Sequence, residues 1–257
     1  MFASMTGPRI MISRELQALH RSLRVYHGDK ARNAAMDRLY RRLLRPGDLA
    51  FDIGAHVGDR ISSFRRLGCR VVALEPQPLA ARTLRLIHGR DPLVTILQAA
   101  AGPCDGTLTL HVNSRNPTVS TASPEFVAAA NGARGWEGQA WDRRIEIPST
   151  TLDSLIARFG RPAFVKIDVE GFEADVLAGL SEALPALSFE FTTIQRDIAF
   201  RCLERLATMG PYSFDAALGE SQELTFEELI SAQAMADYIA ALEHDANSGD
   251  VYAILFR

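Results

Sequence analysis

Asp52-Ile53-Gly54-Ala55-His56-Val57-Gly58 stands between a short apolar run, Leu49 to Ile53, and a helical pattern over about Asp59 to Leu67. That placement makes it a strand-to-helix turn. Glycines there let the backbone bend tightly and approach a ligand closely. The next strand, Arg70 to Leu74, ends at Glu75-Pro76. An acid at that tip can accept hydrogen bonds from both hydroxyls of a ribose. A glycine turn by itself also occurs in α/β proteins that bind nothing; joined to Glu75 it marks a nucleoside-type site.

A helix over Leu79 to Ile87 and a strand over Val94 to Leu97 complete a βαβαβ rhythm, which predicts a parallel, doubly wound sheet. Right-handed crossovers put both helices on one face. Thr107 to Val112 alternates as an extra strand, and Asn113 to Asp142 is irregular. Arg144 to Ile147 resumes a strand, and Thr150-Thr151-Leu152-Asp153 has the pattern of a capping box. Ala163 to Val169, Leu187 to Phe191, Tyr212 to Ala217 and Val251 to Phe256 are the remaining strands. Helices are expected over Phe172 to Leu180, Ile194 to Met209 and Phe226 to Leu242.

Upstream, Ile12, Leu16, Leu19, Leu23 and Tyr26 fall at helical spacing, with Arg14, Arg21 and Arg24 off the stripe. A second helix is predicted from about Ala31 to Leu44, before Arg45-Pro46-Gly47. Residues 1–46 are therefore expected to form a helical extension capping a catalytic-type domain over 47–257. The alternative is a surface helix that meets a membrane or an acidic partner.

At 257 residues, 47% of them hydrophobic, the chain can bury one sizeable core. A formal charge of -3 gives no global basic field, so nucleic-acid binding is not expected. No apolar run is long enough to span a bilayer, and the N-terminus has no signal-type run. Stable membrane insertion is thus not expected, and the expected location is cytoplasmic. Cys69, Cys104 and Cys202 form no C-x-x-C pair, and the six histidines show no ligand spacing. Lysine is confined to Lys30 and Lys166, an arginine bias pointing to a GC-rich bacterial genome.

The turn is D-x-G-x-x-x-G, not the G-x-G-x-x-G of dinucleotide sites. The Asp52 carboxylate would repel a pyrophosphate but suits a ligand carrying an ammonium and a sulfonium. A second pattern is Phe164-Val165-Lys166-Ile167-Asp168-Val169-Glu170-Gly171-Phe172-Glu173. Alternation puts Lys166, Asp168 and Glu170 on one side, near the sheet edge where such folds bind ligands. The plainer alternative is a Lys-Asp ion pair closing the strand. Glu173 is expected on an exposed helix face.

Together, D-I-G-A-H-V-G, L-E-P at Leu74 to Pro76, V-K-I-D-V-E-G-F-E with V-L-A-G-L following, and F-E-F at Phe189 to Phe191 resemble the FkbM-type methyltransferases. These are a branch of the class I S-adenosylmethionine-dependent enzymes, and the resemblance covers about Leu49 to Phe191. It implies a Rossmann-like, doubly wound seven-stranded sheet, mainly parallel, with an antiparallel last strand. It assigns Asp52, Gly54 and Gly58 to the methionine side of the cofactor, Glu75 to its ribose and Gln98 and Ala99 to adenine, with Ala55, His56 and Pro76 among the other cofactor contacts. His56 replaces the family's common asparagine, and Gln98 a shorter Asn or Asp.

Methyl transfer is an in-line displacement that needs alignment, exclusion of water and, for an alcohol, a proton acceptor. Asp168 or Glu170 is expected to take that proton, with Lys166 positioning or neutralising a carboxylate. Asp168 and Glu190 are two carboxylates without a third ligand, so no metal is expected. Ser120, Thr121, Trp136 and Trp141 are expected to contact the acceptor, a small molecule or glycan such as a sugar, glycolipid or polyketide hydroxyl. Tryptophans anchoring a long loop are the competing reading. Methylation of nitrogen or carbon, or a non-catalytic binding module, are the alternatives to O-methyl transfer.

Overall fold

The computed structural model describes residues 14–256, so Ile12 of the first helical stripe lies outside the described residues. In chain order the strands are β1 (Leu49–Ile53), β2 (Arg70–Leu74), β3 (Val94–Leu97), β4 (Ala100–Ala101), β5 (Gly106–Val112) and β6 (Arg143–Thr150). They continue with β7 (Phe164–Ile167), β8 (Ala186–Thr192), β9 (Tyr212–Leu218) and β10 (Ser248–Leu255). Seven of them form one sheet in the order β3-β2-β1-β7-β8-β10-β9. Its neighbours run parallel except β10, which is antiparallel to β8 and β9. The expected seven-stranded, mainly parallel sheet is thus the fold. β4, β6 and β5 make a small second sheet beside it.

Helices α1 (Arg14–Gly28) and α2 (Lys30–Tyr40) precede the sheet, and α3 (Asp59–Arg66) and α4 (Pro78–His88) follow β1 and β2. The rest are α5 (Pro124–Ala130), α6 (Leu152–Phe159), α7 (Glu173–Ala178), α8 (Arg196–Met209) and α9 (Ala232–Ala241). Helices cover both faces of the large sheet, which is why its strands read as near-continuous apolar runs. On one face Phe51, Ile53, Val165, Ile167 and Phe189 pack against Leu155, Leu177 and Leu203. On the other, Ala50, Phe164 and Tyr252 meet Met36, Tyr40, Phe64 and Leu84.

The second helix is therefore part of the core. The Tyr40 and Phe64 rings meet edge-to-face at 4.8 Å, and both contact Phe164. Each such fully buried ring contributes roughly 1.5–3 kcal/mol of burial. α1 is held more lightly, through Leu19 on Val57 and Ala80, while Leu16 of the predicted stripe is 45% exposed.

Three local expectations are corrected. The helix predicted over Phe226 to Leu242 begins only at Ala232. Ile230 instead bridges to Phe214 by paired 2.8 Å backbone bonds, and the Ser231 hydroxyl caps the helix by accepting from the Ala234 N–H. Thr151, not Thr150, caps α6, because Asp105 accepts from both the Thr150 hydroxyl and the Thr151 N–H. The irregular segment 113–142 carries α5 and a short 3-10 turn, Pro117–Val119.

Candidate active site

The strand order reverses between β1 and β7, and open α/β sheets bind ligands at such a crevice. Gly54 turns the chain there with φ 88, and a Cβ would lie 1.8 Å from the Asp168 carbonyl oxygen. Only glycine lets the two turns touch. The crevice opens into a cleft of about 890 Å³, its mouth included. Asp52, Gly54, Ala55, His56, Glu75, Pro76 and Ala99 line one side. Lys166, Asp168, Glu170 and Ser120 complete it.

Glu75 is 2% exposed, and its two oxygens accept from the His56 and Gln77 N–H groups at 2.8 Å each. Each oxygen keeps a lone pair for a ligand hydroxyl. Burial lifts its pKa to about 7, against the lowering effect of those backbone bonds. Asp52 is likewise raised to about 7, by burial first and then by the Asp59 charge. Its Oδ2 is buried with no partner among the described residues. A ligand bringing an ammonium and ribose hydroxyls would satisfy these groups. Both His56 ring nitrogens are also buried and unpartnered, and burial lowers the ring's pKa to about 4, leaving it neutral near pH 7.

Lys166 is 1% exposed and donates to Asp168 Oδ2 at 3.0 Å and to Asp250 Oδ1 at 2.8 Å. The plain ion-pair alternative is therefore realised, with a second acid from β10. Burial disfavours the ammonium, but the two carboxylates outweigh it and hold its pKa well up. Asp168 is in turn held low, because Lys166 overcomes the burial that would raise it. Glu170, at φ 56, is pushed well up by burial and by the Asp168 charge.

Several expected contacts fall elsewhere. Gly58 starts α3 outside the cleft lining; a Cβ there would meet Leu84 and His88 at 2.7 and 2.9 Å. Gln98 turns away, its amide oxygen accepting from Arg85 at 3.4 Å. Thr121 is buried and donates to the Glu170 carbonyl at 2.6 Å, so it holds that turn and does not line the cleft. Trp136 and Trp141 pack edge-to-face on Phe126, and Trp141 donates to the Val119 carbonyl. They anchor the loop, as the competing reading had it. Glu173 is 2% exposed, not surface-facing, because its carboxylate folds back to accept from the Val169 and Gly171 N–H groups.

Tyr26, Arg60 and Glu220 line the cleft without having been marked as site residues in the sequence. Tyr26 comes from α1 and meets the His56 ring edge-on at 6.0 Å. Arg32 and Arg60 both pair with Asp59 and Glu220, tying α2, α3 and the loop after β9 together. An Asp-Arg pair at the start of a helix behind a glycine turn is the one local signal for this network.

The sheet order, its single reversed strand and a glycine turn facing an acid on the next strand build a nucleoside-type crevice at the point where the strand order reverses. Residues 52–227 match the family described as the methyltransferase FkbM domain, more than half of the chain. The chain belongs to that family, and its cofactor is S-adenosylmethionine. Similar solved structures include an O-methyltransferase from Bacillus cereus in complex with SAH (13% identity, 98% of this chain and 94% of that chain, TM-score 0.47). A TehB-like SAM-dependent methyltransferase from Corynebacterium glutamicum is 11% identical over 95% and 98% of the two chains, TM-score 0.48. A precorrin-6y C5,15-methyltransferase from Geobacter metallireducens is 14% identical over 87% of each, TM-score 0.44. No curated protein matches the chain. Among the described residues no helix is long and apolar enough to cross a membrane.

Proposed function

We propose that this methyltransferase methylates a hydroxyl oxygen of a small molecule or glycan, such as a sugar, glycolipid or polyketide-like acceptor. The observation that supports this reading is Glu170: 7% exposed, lining the cleft, its carboxylate accepting from no described residue. S-adenosylmethionine supplies a methyl group on a positively charged sulfur, and its nucleoside end suits Glu75 and its ammonium suits Asp52. Glu170 takes the hydroxyl proton as the oxygen attacks. A sulfonium nearby favours the ionised form of Glu170, countering the burial that raises its pKa. Lys166 keeps Asp168 ionised at the edge of β7, and Ser120, in the cleft lining, offers the acceptor a polar contact. A neutral amine would not need this proton acceptor to attack.

The test is methyl transfer from carbon-13 methyl-labelled cofactor to matched panels of sugars, glycolipids, polyketides and amines. Product NMR tells an O-methyl from an N- or C-methyl group. Glu170→Gln should lower kcat about 10²- to 10⁴-fold with S-adenosylhomocysteine affinity unchanged. Label confined to nitrogen or carbon, or a fully active Glu170→Gln, would overturn the proposal.

A further inference from the structure

The outer faces of α1 and α4 carry a pattern that neither the cofactor nor methyl transfer uses. α1 lies against the start of α4, where Leu19 meets Ala80, so the sides that the two helices turn to solvent adjoin. On α1 that side presents Arg21, Arg24 and Val25, and on α4 it presents Arg82, Arg85 and Leu86, the same i, i+3, i+4 spacing twice. All six are exposed, Val25 to 61% and Leu86 to 77%. Past the end of α4, Arg90 and Leu93 extend the face. None of these five arginines has a carboxylate partner among the described residues. Arg21 donates to the Arg115 carbonyl and Arg85 to the Gln98 amide oxygen, both uncharged. α4 contains no acid, and the only one in α1, Glu15, is bonded to Arg143 and Ser114. The face is thus cationic throughout, in a chain whose formal charge is -3.

We propose that this face docks the protein on an anionic phospholipid membrane, as a peripheral contact and not a spanning one. The arginines draw the helices to the headgroups by an attraction that weakens with added salt. Val25 follows Arg21 by four residues and Leu86 follows Arg82 by four, so each aliphatic chain stands beside a guanidinium on the same side of its helix. There it reaches into the headgroup and acyl boundary, as the apolar residues of an interfacial helix do. Nucleic acid is the other extended polyanion, but its backbone offers no place to bury an aliphatic chain. The exposed residues of this face also include no aromatic ring on which a base could stack. Docking this way holds the cleft beside the headgroup layer, because Tyr26, adjacent to Val25, lines it.

The experiment is co-sedimentation of the full chain with vesicles of phosphatidylcholine, alone or mixed with phosphatidylglycerol. Binding is expected to the mixed vesicles only, and it should fall as salt is raised. An arginine at an anionic membrane surface adds roughly fivefold to affinity, so Arg24→Gln, Arg82→Gln and Arg90→Gln together should weaken binding about a hundredfold. Leu86→Ser alone should weaken it roughly tenfold, a loss that a purely electrostatic contact would not show. None of these four residues lines the cleft, so S-adenosylhomocysteine affinity, measured by calorimetry, should be unchanged in both variants and shows that each is folded. Should the triple variant lose that affinity, the three single substitutions replace it, each expected to cost about fivefold on vesicles. No preference of the wild-type chain for the mixed vesicles overturns the proposal, as does an unchanged vesicle affinity in the arginine variants or in Leu86→Ser. Retention by single-stranded RNA or by polyglutamate, but not by vesicles, also overturns it and assigns the face to that polyanion.

Discussion

Replacing Glu75 by glutamine separates what the residue does for the fold from what it does for the cofactor. Glutamine keeps the volume but turns one acceptor oxygen into a donor, which would face the N–H of His56 or Gln77. One hydrogen bond to a charged acceptor is lost on folding, worth about 1.5–3 kcal/mol. Against that, the wild-type carboxyl is raised from 4.5 to about 7, which above pH 7 amounts to about 3 kcal/mol of penalty removed. The two nearly cancel, so Tm should move by only a few degrees. Binding has no such compensation. Losing one of two charge-assisted bonds to the ribose should weaken S-adenosylhomocysteine roughly 10- to 150-fold.

The pH dependence carries the sign. With its folded pKa raised above the unfolded value, Glu75 contributes stability fully present below about 4.5 and lost as pH rises toward 7. Cofactor binding runs the other way, because the ionised carboxylate accepts both hydroxyls. Affinity should therefore fall by up to about tenfold per unit as pH drops below 7. Glu75→Gln should remove one proton from that slope. Calorimetric titration between pH 5.5 and 8.5, with thermal melts on the same samples, measures both. A variant that binds as tightly as wild type with an unchanged pH slope would refute the assignment.

Gly54→Ala should yield no stably folded protein, a loss above about 4 kcal/mol, since its Cβ would fall 1.8 Å from the Asp168 carbonyl oxygen. Gly132→Ala, with φ 77 but open space around it, should cost only about 1–2 kcal/mol in denaturant melts. Lys166→Met removes the ammonium that Asp168 and Asp250 share and should cost about 3–5 kcal/mol near neutral pH. Adding Asp250→Asn should recover part of that loss, which a double-mutant cycle measures. Because Lys166 holds the Asp168 pKa below its ordinary value, that contribution is present above the unfolded carboxyl's pKa and lost as pH falls through the lowered one.

The cofactor side of the cleft was readable because its signals are local. A glycine turn and the acid ending the next strand are each set by a few consecutive residues, and parallel pairing of β1 with β2 brings them together. Gln98 misled because a residue at the end of β3 can turn either way, and Arg85 of the preceding helix α4 donates to its amide oxygen. Trp136 and Trp141 misled for a different reason. An aromatic in a polar loop looks the same in sequence whether it faces a ligand or a neighbouring ring, and Phe126, buried on α5, settles which. Glu173 was misplaced because helical spacing says where a side chain starts, not that it can fold back onto the N–H groups of its own turn.

The contacts made by elements far apart in the chain were least legible. Tyr26 lies 30 residues before His56, yet α1 crosses Val57 through Leu19, and the two rings meet over the turn. Asp250 reaches Lys166 across 84 positions because β10 runs antiparallel beside β8. Glu220 reaches Arg32 across 188. These contacts follow from strand order, which a single sequence constrains only through the family it resembles. The same topology explains the acidic character of the site. β7 and β8 both end at the crevice, so Asp168, Glu170 and Glu190 converge although each strand alone carries an ordinary number of charges. Burial and the Asp168 charge push the Glu170 and Glu190 carboxyls well up, which relieves the repulsion that three ionised carboxylates at this edge would carry.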